Sequence, residues 1–270
     1  MRKSILIIVS LCLIVFPLTF FIGCRRILGK RPIHNAAHKG DLKKVKKIIE
    51  KDPTQINIQD VQGRTPLYCA SIKGHTEIVK YLLAHGADIE LGNNLGERPL
   101  ALAAKFGHYN TMKTLLKHGA AVNCKDKYGL TPLHEAILWD DKGLVNILLS
   151  NGADVNSRDR YANTPLHRAA IQNNINAAKA LVEHGADVFA KNYYDYSRTY
   201  ENWGIVPSKD IMNKTPKEIA LERDFKQLAR YLQTIEEEKK KEREEKVNEK
   251  EKEQEKTRDS EKTKEKLEGN

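Results

Sequence analysis

A Thr-Pro-Leu-like tetrapeptide returns down this chain with its prolines at Pro32, Pro66, Pro99, Pro132, Pro165 and Pro216, separated by 34, 33, 33, 33 and 51 residues. A stride of this size restricts the chain to a stack of small supersecondary units, none able to bury its apolar face alone. The units also end alike, with His-Gly-Ala-Asp at 85–88, His-Gly-Ala-Ala at 118–121, Asn-Gly-Ala-Asp at 151–154 and His-Gly-Ala-Asp at 184–187.

At these motifs the chain resembles the ankyrin-repeat family, over six copies covering about residues 31–235. The physics of a single copy agrees. Thr131 caps a helix through its hydroxyl, and Pro132 fits the first helical position, where no amide donor is needed. Leu133, Ala136 and Ile137 give a short helix whose small residues admit a close neighbour. Leu144, Val145, Leu148 and Leu149 give a second helix, which Gly152 ends. A polar hairpin from Arg158 to Asn163 leads to the next copy. The expected fold is all-α: an ankyrin-repeat solenoid of six helix-turn-helix repeats whose hairpin loops project along one edge.

The end copies read as caps. In the first, Ile33 to Ala37 keeps the inner helix while Lys43, Lys44, Lys46 and Lys47 wet the outer one. In the last, Lys217-Glu218 stands where Leu-His is expected. Terminal repeats need such a polar face. The fifth copy is stretched by 18 residues, placed at 192–211. Residues 236–270 hold 14 acidic and 12 basic side chains among 35, with only Val247 and Leu267 aliphatic. They have no heptad seam for a coiled coil. Pairs such as Glu236 with Lys240 extend the last helix for a few turns; the rest is expected to be a solvated, largely disordered tail.

The N-terminus is of another kind. Arg2 and Lys3 precede an apolar run from Ser4 to Ile22, closed by Phe21-Ile22-Gly23-Cys24. A short basic region before an apolar stretch marks an export signal or membrane anchor. The last four residues resemble a bacterial lipobox, which implies a lipidated Cys24 and a lipoprotein of the cell envelope. The run is also just long enough to span a bilayer. Arg25, Arg26, Lys30 and Arg31 downstream favour a cytoplasmic flank, hence a single-span anchor with cytoplasmic repeats. A cleaved soluble product is the third reading. The organisation is then 1–24 signal or anchor, 25–30 linker, 31–235 repeats and 236–270 tail.

Catalysis has no visible apparatus. Eight of the nine histidines occupy repeat positions, leaving His38, and no phosphate loop, Gly-x-Ser-x-Gly or His-Glu-x-x-His motif occurs. Cys69 and Cys124 sit on different elements, so neither a disulfide nor a zinc site is expected. The reading is a non-enzymatic binding scaffold with no cofactor, no metal and no small-molecule substrate; an enzyme built on His38 and nearby acids is the residual rival.

In ankyrin-like solenoids the variable hairpin tips and inner-helix ends line a concave face. This resemblance singles out Lys105, Phe106, Lys127, Tyr128, Trp139, Arg160 and Tyr161, aromatics ringed by charge as in an interaction hot spot. Packing of some rings on neighbouring hairpins is the alternative. The inserted segment adds Tyr193, Tyr194, Tyr196, Tyr200 and Trp203, which either bind or fold onto the solenoid. With the tail at 12 − 14 = −2, the remaining residues carry +12 of the net +10. The expected partner is a protein of acidic or mixed surface, with the membrane met through the N-terminus. An anionic lipid or polymer is the alternative, and nucleic acid is not expected.

Overall fold

Each proline of the repeat begins a helix. The structure, a computed structural model, describes residues 32–139, 141–193 and 213–268. Residues 1–24 with Cys24, the linker, and Tyr194, Tyr196, Tyr200 and Trp203 lie outside the described residues. No described helix is long and apolar enough to cross a membrane.

The chain divides into two compact units, Met1–Lys127 and Tyr128–Asn270. The first holds α1 Pro32–Lys39, α2 Leu42–Lys51, a 3-10 turn at Pro53–Asn57, α3 Pro66–Ser71, α4 Thr76–Ala84, α5 Pro99–Lys105 and α6 Tyr109–Lys117. Inner helices stack on inner ones, α1 on α3 on α5, and outer on outer, α2 on α4 on α6. The second holds α7 Pro132–Ala136, α8 Lys142–Ser150, α9 Pro165–Ile171, α10 Ile175–Glu183, α11 Pro216–Glu222 and α12 Lys226–Glu268, with α7, α9 and α11 forming the inner row. Among the described residues there is no strand.

The caps are those the sequence motif requires. The Thr65 hydroxyl accepts from Tyr68 N at 3.0 Å, and Thr131, Thr164 and Thr215 form capping boxes with His134, His167 and Glu218. Arg98 lacks a capping hydroxyl and instead pairs with Glu90, whose other oxygen accepts from Ala121 N at 2.8 Å. Four of the outer helices, α4, α6, α8 and α10, end on glycine. Gly86 takes φ +85°, letting Ala87 N donate to Leu82 O at 2.9 Å. Small residues bring the rows together: Ala103 and Ala104 in the first unit, and Ala169, Ala170, Ala177 and Ala178 in the second, are buried beside Leu67, Leu100, Leu133 and Leu166.

The C-terminal helix departs from expectation. A few turns were expected past residue 235, then a solvated tail; instead α12 runs 43 residues to Glu268. Leu228 and Leu232 are fully buried at its start. Glu236 is 5% exposed and meets Lys217 Nζ at 2.5 Å, and the Arg243 guanidinium lies 4.4 Å from the centre of the Phe189 ring. The packed contacts reach Arg243, within the few turns expected, and the helix itself continues well past them. Acid–base spacings of four, such as Glu242 to Lys246, support the remainder.

Candidate functional site

Backbone amides and buried histidines, rather than variable side chains, hold the hairpins. In each tip one side chain closes the turn: Asp60 Oδ1 accepts from Gln62 N and Arg64 N at 2.9 and 3.0 Å, Asn93 Oδ1 from Leu95 N and Glu97 N at 2.9 and 3.0 Å, and Asp159 Oδ1 from Tyr161 N and Asn163 N at 2.8 and 2.9 Å. Each tip is then pinned to the preceding one by an amide. In the first unit Asn94 N donates to Gln62 O at 3.0 Å and Lys127 N to Leu95 O at 2.9 Å. In the second, Arg160 N donates to Tyr128 O at 2.9 Å and Tyr193 N to Tyr161 O at 3.1 Å.

The histidines do the same work one layer down. Nε2 of His34, His134 and His167 reaches the backbone oxygen of Arg64, Asn163 and Lys214 in the following hairpin, at 2.7, 3.1 and 3.0 Å. His75 and His108 reach back to His38 O and Ile72 O, at 3.0 and 3.2 Å. His85, His118 and His184 bond the carbonyl four residues earlier. Burial depresses the basicity of His167, to a pKa of about 4, and lowers that of His34, the backbone oxygens offsetting only part of the desolvation. Both rings are therefore neutral struts at neutral pH. Among the described residues no group of histidines, cysteines and acids is arranged to hold a metal ion.

A family profile described as ankyrin repeats matches in three copies, over residues 13–93, 90–159 and 124–192, more than half of the chain. The chain belongs to the ankyrin-repeat family. Part of it is similar to serine/threonine-protein kinase VIK of Arabidopsis thaliana, 45% identical over 53 residues, 20% of this chain and 12% of that protein. Another match is to transient receptor potential cation channel subfamily A member 1 of Drosophila melanogaster, 44% identical over 62 residues, 22% of this chain and 5% of that one. Ankyrin repeat domain-containing protein 7 of Homo sapiens is 42% identical over 53 residues, 20% of this chain and 21% of that protein. The chain thus spans between 5% and 21% of the length of these relatives.

The ankyrin frame sorts the candidate residues. Seven positions after each repeat proline stand Lys39, Lys73, Phe106, Trp139, Gln172 and Arg223, and all six are exposed. Phe106 is 40% exposed in the first unit and Trp139 43% in the second. Lys127 is exposed at its hairpin tip, as is Tyr193, at 57%. Others are more engaged. Lys105 Nζ meets Glu97 Oε1 at 2.8 Å, and the other oxygen of that carboxylate accepts from Asn93 at 2.8 Å and Tyr68 at 3.3 Å. Burial opposes ionisation of Glu97, yet Lys105 and these donors outweigh it and hold the carboxyl below its usual value. Tyr128 and Tyr161 are half-buried, with the Arg160 guanidinium 4.4 and 4.7 Å from their ring centres and donating to Tyr161 Oη at 2.7 Å. Tyr128 thus packs against the following hairpin, whereas Tyr161 is held by its own neighbour within the same hairpin.

Three features escaped the sequence reading. Tyr109 is 42% exposed, although it opens an outer helix. Glu135 is 4% exposed with Arg168 at 4.0 Å, one repeat apart, in the register filled by Cys69 and Leu102 in the first unit. Opposite charges at one register of consecutive repeats, Glu135 and Arg168, were the available signal. Asn174 takes over from the histidine used in the other unit, donating to Ile137 O at 3.0 Å and Trp139 O at 2.8 Å and so fixing the backbone that carries Trp139.

The inserted segment leaves a hairpin that is already closed. Asn192 N donates to Lys214 O at 3.2 Å and Asn192 Oδ1 accepts from Lys214 N at 2.9 Å, the same pair made by Asp159 and Asn163. Asn213, at φ +55°, takes the left-handed place of Ala162, also at +55°. The extra 18 residues therefore fall between Tyr194 and Asn213, not at 192–211, and Tyr193 belongs to the frame. Deleting residues 195–212 should leave the fold intact and stabilise it by about 1 kcal/mol through lower closure entropy. Denaturant unfolding of the shortened chain checks this; loss of the last repeat's cooperativity would make the segment a structural brace.

Proposed function

We propose that this protein is a non-enzymatic, membrane-anchored scaffold that binds a protein partner through exposed inner-helix ends and hairpin tips. Ankyrin repeats generally mediate protein–protein interaction. The observation that carries the reading is the exposed register seven residues after each proline. Two of the six positions hold large rings, Phe106 at 40% and Trp139 at 43% exposure. Large aromatic rings with this much exposed surface are the residue type that anchors protein interfaces. Lys127 in the first unit and Arg158 in the second favour an acidic or mixed partner surface, and the aromatic-rich inserted segment is proposed to take part in the same binding. Against catalysis, eight histidines are spoken for by carbonyl oxygens of the frame. The anchor is the apolar run before Cys24, carried by lipid or by the run itself.

The test is substitution of Trp139 and Phe106 by Ala. Each should weaken a saturable protein interaction by about 2 kcal/mol, or about thirtyfold, and leave thermal stability nearly unchanged. A fall in stability comparable to a core truncation would show that the rings are core. A turnover abolished by His38→Ala in a folded chain would replace the scaffold by an enzyme.

A further inference from the structure

The first outer helix, α2, is more basic than α4, α6, α8 and α10. Its sequence, Leu-Lys-Lys-Val-Lys-Lys-Ile-Ile-Glu-Lys, carries five lysines and one acid, whereas α4 carries one lysine and one glutamate. A cap needs only a polar face, and serine, glutamine or glutamate would serve. Five like charges on ten residues repel one another and call for a separate explanation.

The helix divides these charges between two faces. Lys46 turns toward the stack, its ammonium 5.4 Å from the centre of the Tyr81 ring. Lys44, Lys47 and Lys51 sit three and four residues apart with Ile48 between them, so they form one stripe on the helix. The stripe borders an open groove of about 480 Å³, floored by Pro32, Ile33 and Ile48. All three lysines are exposed, and among the described residues none of them makes an ion pair. Asp52, at the groove's edge, is occupied by the 3-10 turn it caps, accepting from Thr54 N at 3.1 Å and Gln55 Nε2 at 2.8 Å.

Chain length says what lies opposite. The apolar run ends at Ile22 and α1 begins at Pro32, and four of the seven residues 25–31 are basic. From Cys24 to Pro32 the chain extends at most about 27 Å. A bilayer holding the run, or a lipid on Cys24, therefore keeps the first repeat close to the headgroups. We infer that the Lys44–Lys47–Lys51 stripe is a docking surface for anionic lipid headgroups, laying the first repeat against the membrane that anchors the chain. The inference rests on the anchor reading above and holds for either form of anchor. Juxtamembrane basic clusters bind such surfaces through summed electrostatic attraction, which salt screens within a Debye length.

The full chain, reconstituted into phosphatidylcholine vesicles with and without phosphatidylglycerol, tests it by lysine acylation and mass spectrometry. Lys44, Lys47 and Lys51 should be acylated at least about threefold more slowly on anionic vesicles, with protection lost in concentrated salt. Lys80 and Lys113 on later outer helices should react equally on both. Equal rates for the stripe on both vesicles would overturn the docking surface while leaving the anchor standing. Equal protection on both vesicles and in detergent would overturn it too, showing that the chain's own residues cover the stripe. Failure to stay with neutral vesicles through an alkaline wash would remove the anchor, and the inference with it.

Discussion

Lowering the pH from 7 to 5 should cost the C-terminal unit about 2 kcal/mol through His167 alone. The folded ring titrates at about 4 because burial disfavours its charged form, while the same ring in the unfolded chain titrates near 6.5. Between those values the unfolded chain binds more protons, so stability is complete above the unfolded pKa. It falls as pH drops through the window and saturates near 3 kcal/mol of loss below about pH 4. His34, lowered by the same cause, adds to the trend in the N-terminal unit. Asp159 works in the opposite direction, since burial raises its carboxyl and its folded form gains protons first. Asp60 and Glu97, both held low, add their losses only in more acid solution. Urea unfolding midpoints for the natural chain and His167→Gln isolate the histidine. The variant should lose most of the slope between pH 7 and 5, and an unchanged slope would show that the ring is not a buried neutral strut.

Gly74→Ala should destabilise the protein by about 3 kcal/mol, against about 1 kcal/mol for Gly86→Ala. Both glycines have positive φ, +69° and +85°, so both substitutions carry the left-handed backbone strain. They differ in what lies above them. A Cβ on Gly74 would sit 2.6 Å from Nδ1 of His108, whereas Gly86 has nothing within 4 Å. Seating a methyl at 74 pushes the imidazole aside and breaks its 3.2 Å contact with Ile72 O, orphaning a partly buried carbonyl. Equal losses from the two substitutions, in calorimetry or denaturant unfolding, would show that backbone strain alone sets the requirement for glycine at 74.

The repeat frame was legible in the sequence because each part of it has a fixed chemical requirement. Threonine before proline, glycine after an outer helix and histidine four places into the box each solve one local bonding problem, and they recur at the stride that problem repeats. What could not be read was anything settled between repeats by side chains of no fixed type. Tyr128 and Tyr161 look like open aromatics in the chain, but Arg160 lies against both rings. Lys105 looks like a surface charge until Glu97 is found beside it, eight residues away in sequence. The insertion's boundaries were misplaced for a related reason: Asn213 and Lys214 resemble no tip in composition and are recognisable only by φ and by their bonds to Asn192. The long C-terminal helix was underestimated because its charged composition predicts solvation, while Glu236 and Arg243 tie it to Lys217 and Phe189.

The amide rungs between tips separate two kinds of selection. Backbone N–H and C=O groups are the same whatever the residue, so Asn94, Lys127, Arg160 and Tyr193 hold one rung position with four different side chains. Mutation at those positions leaves the rung itself in place. Mutation at Thr131, His134 or Asp159 removes a bond the frame itself uses. A lineage carrying this chain is free to change tip side chains one at a time without breaking the amide rungs. The 18 extra residues between Tyr194 and Asn213 exploit the same freedom by length instead of by substitution.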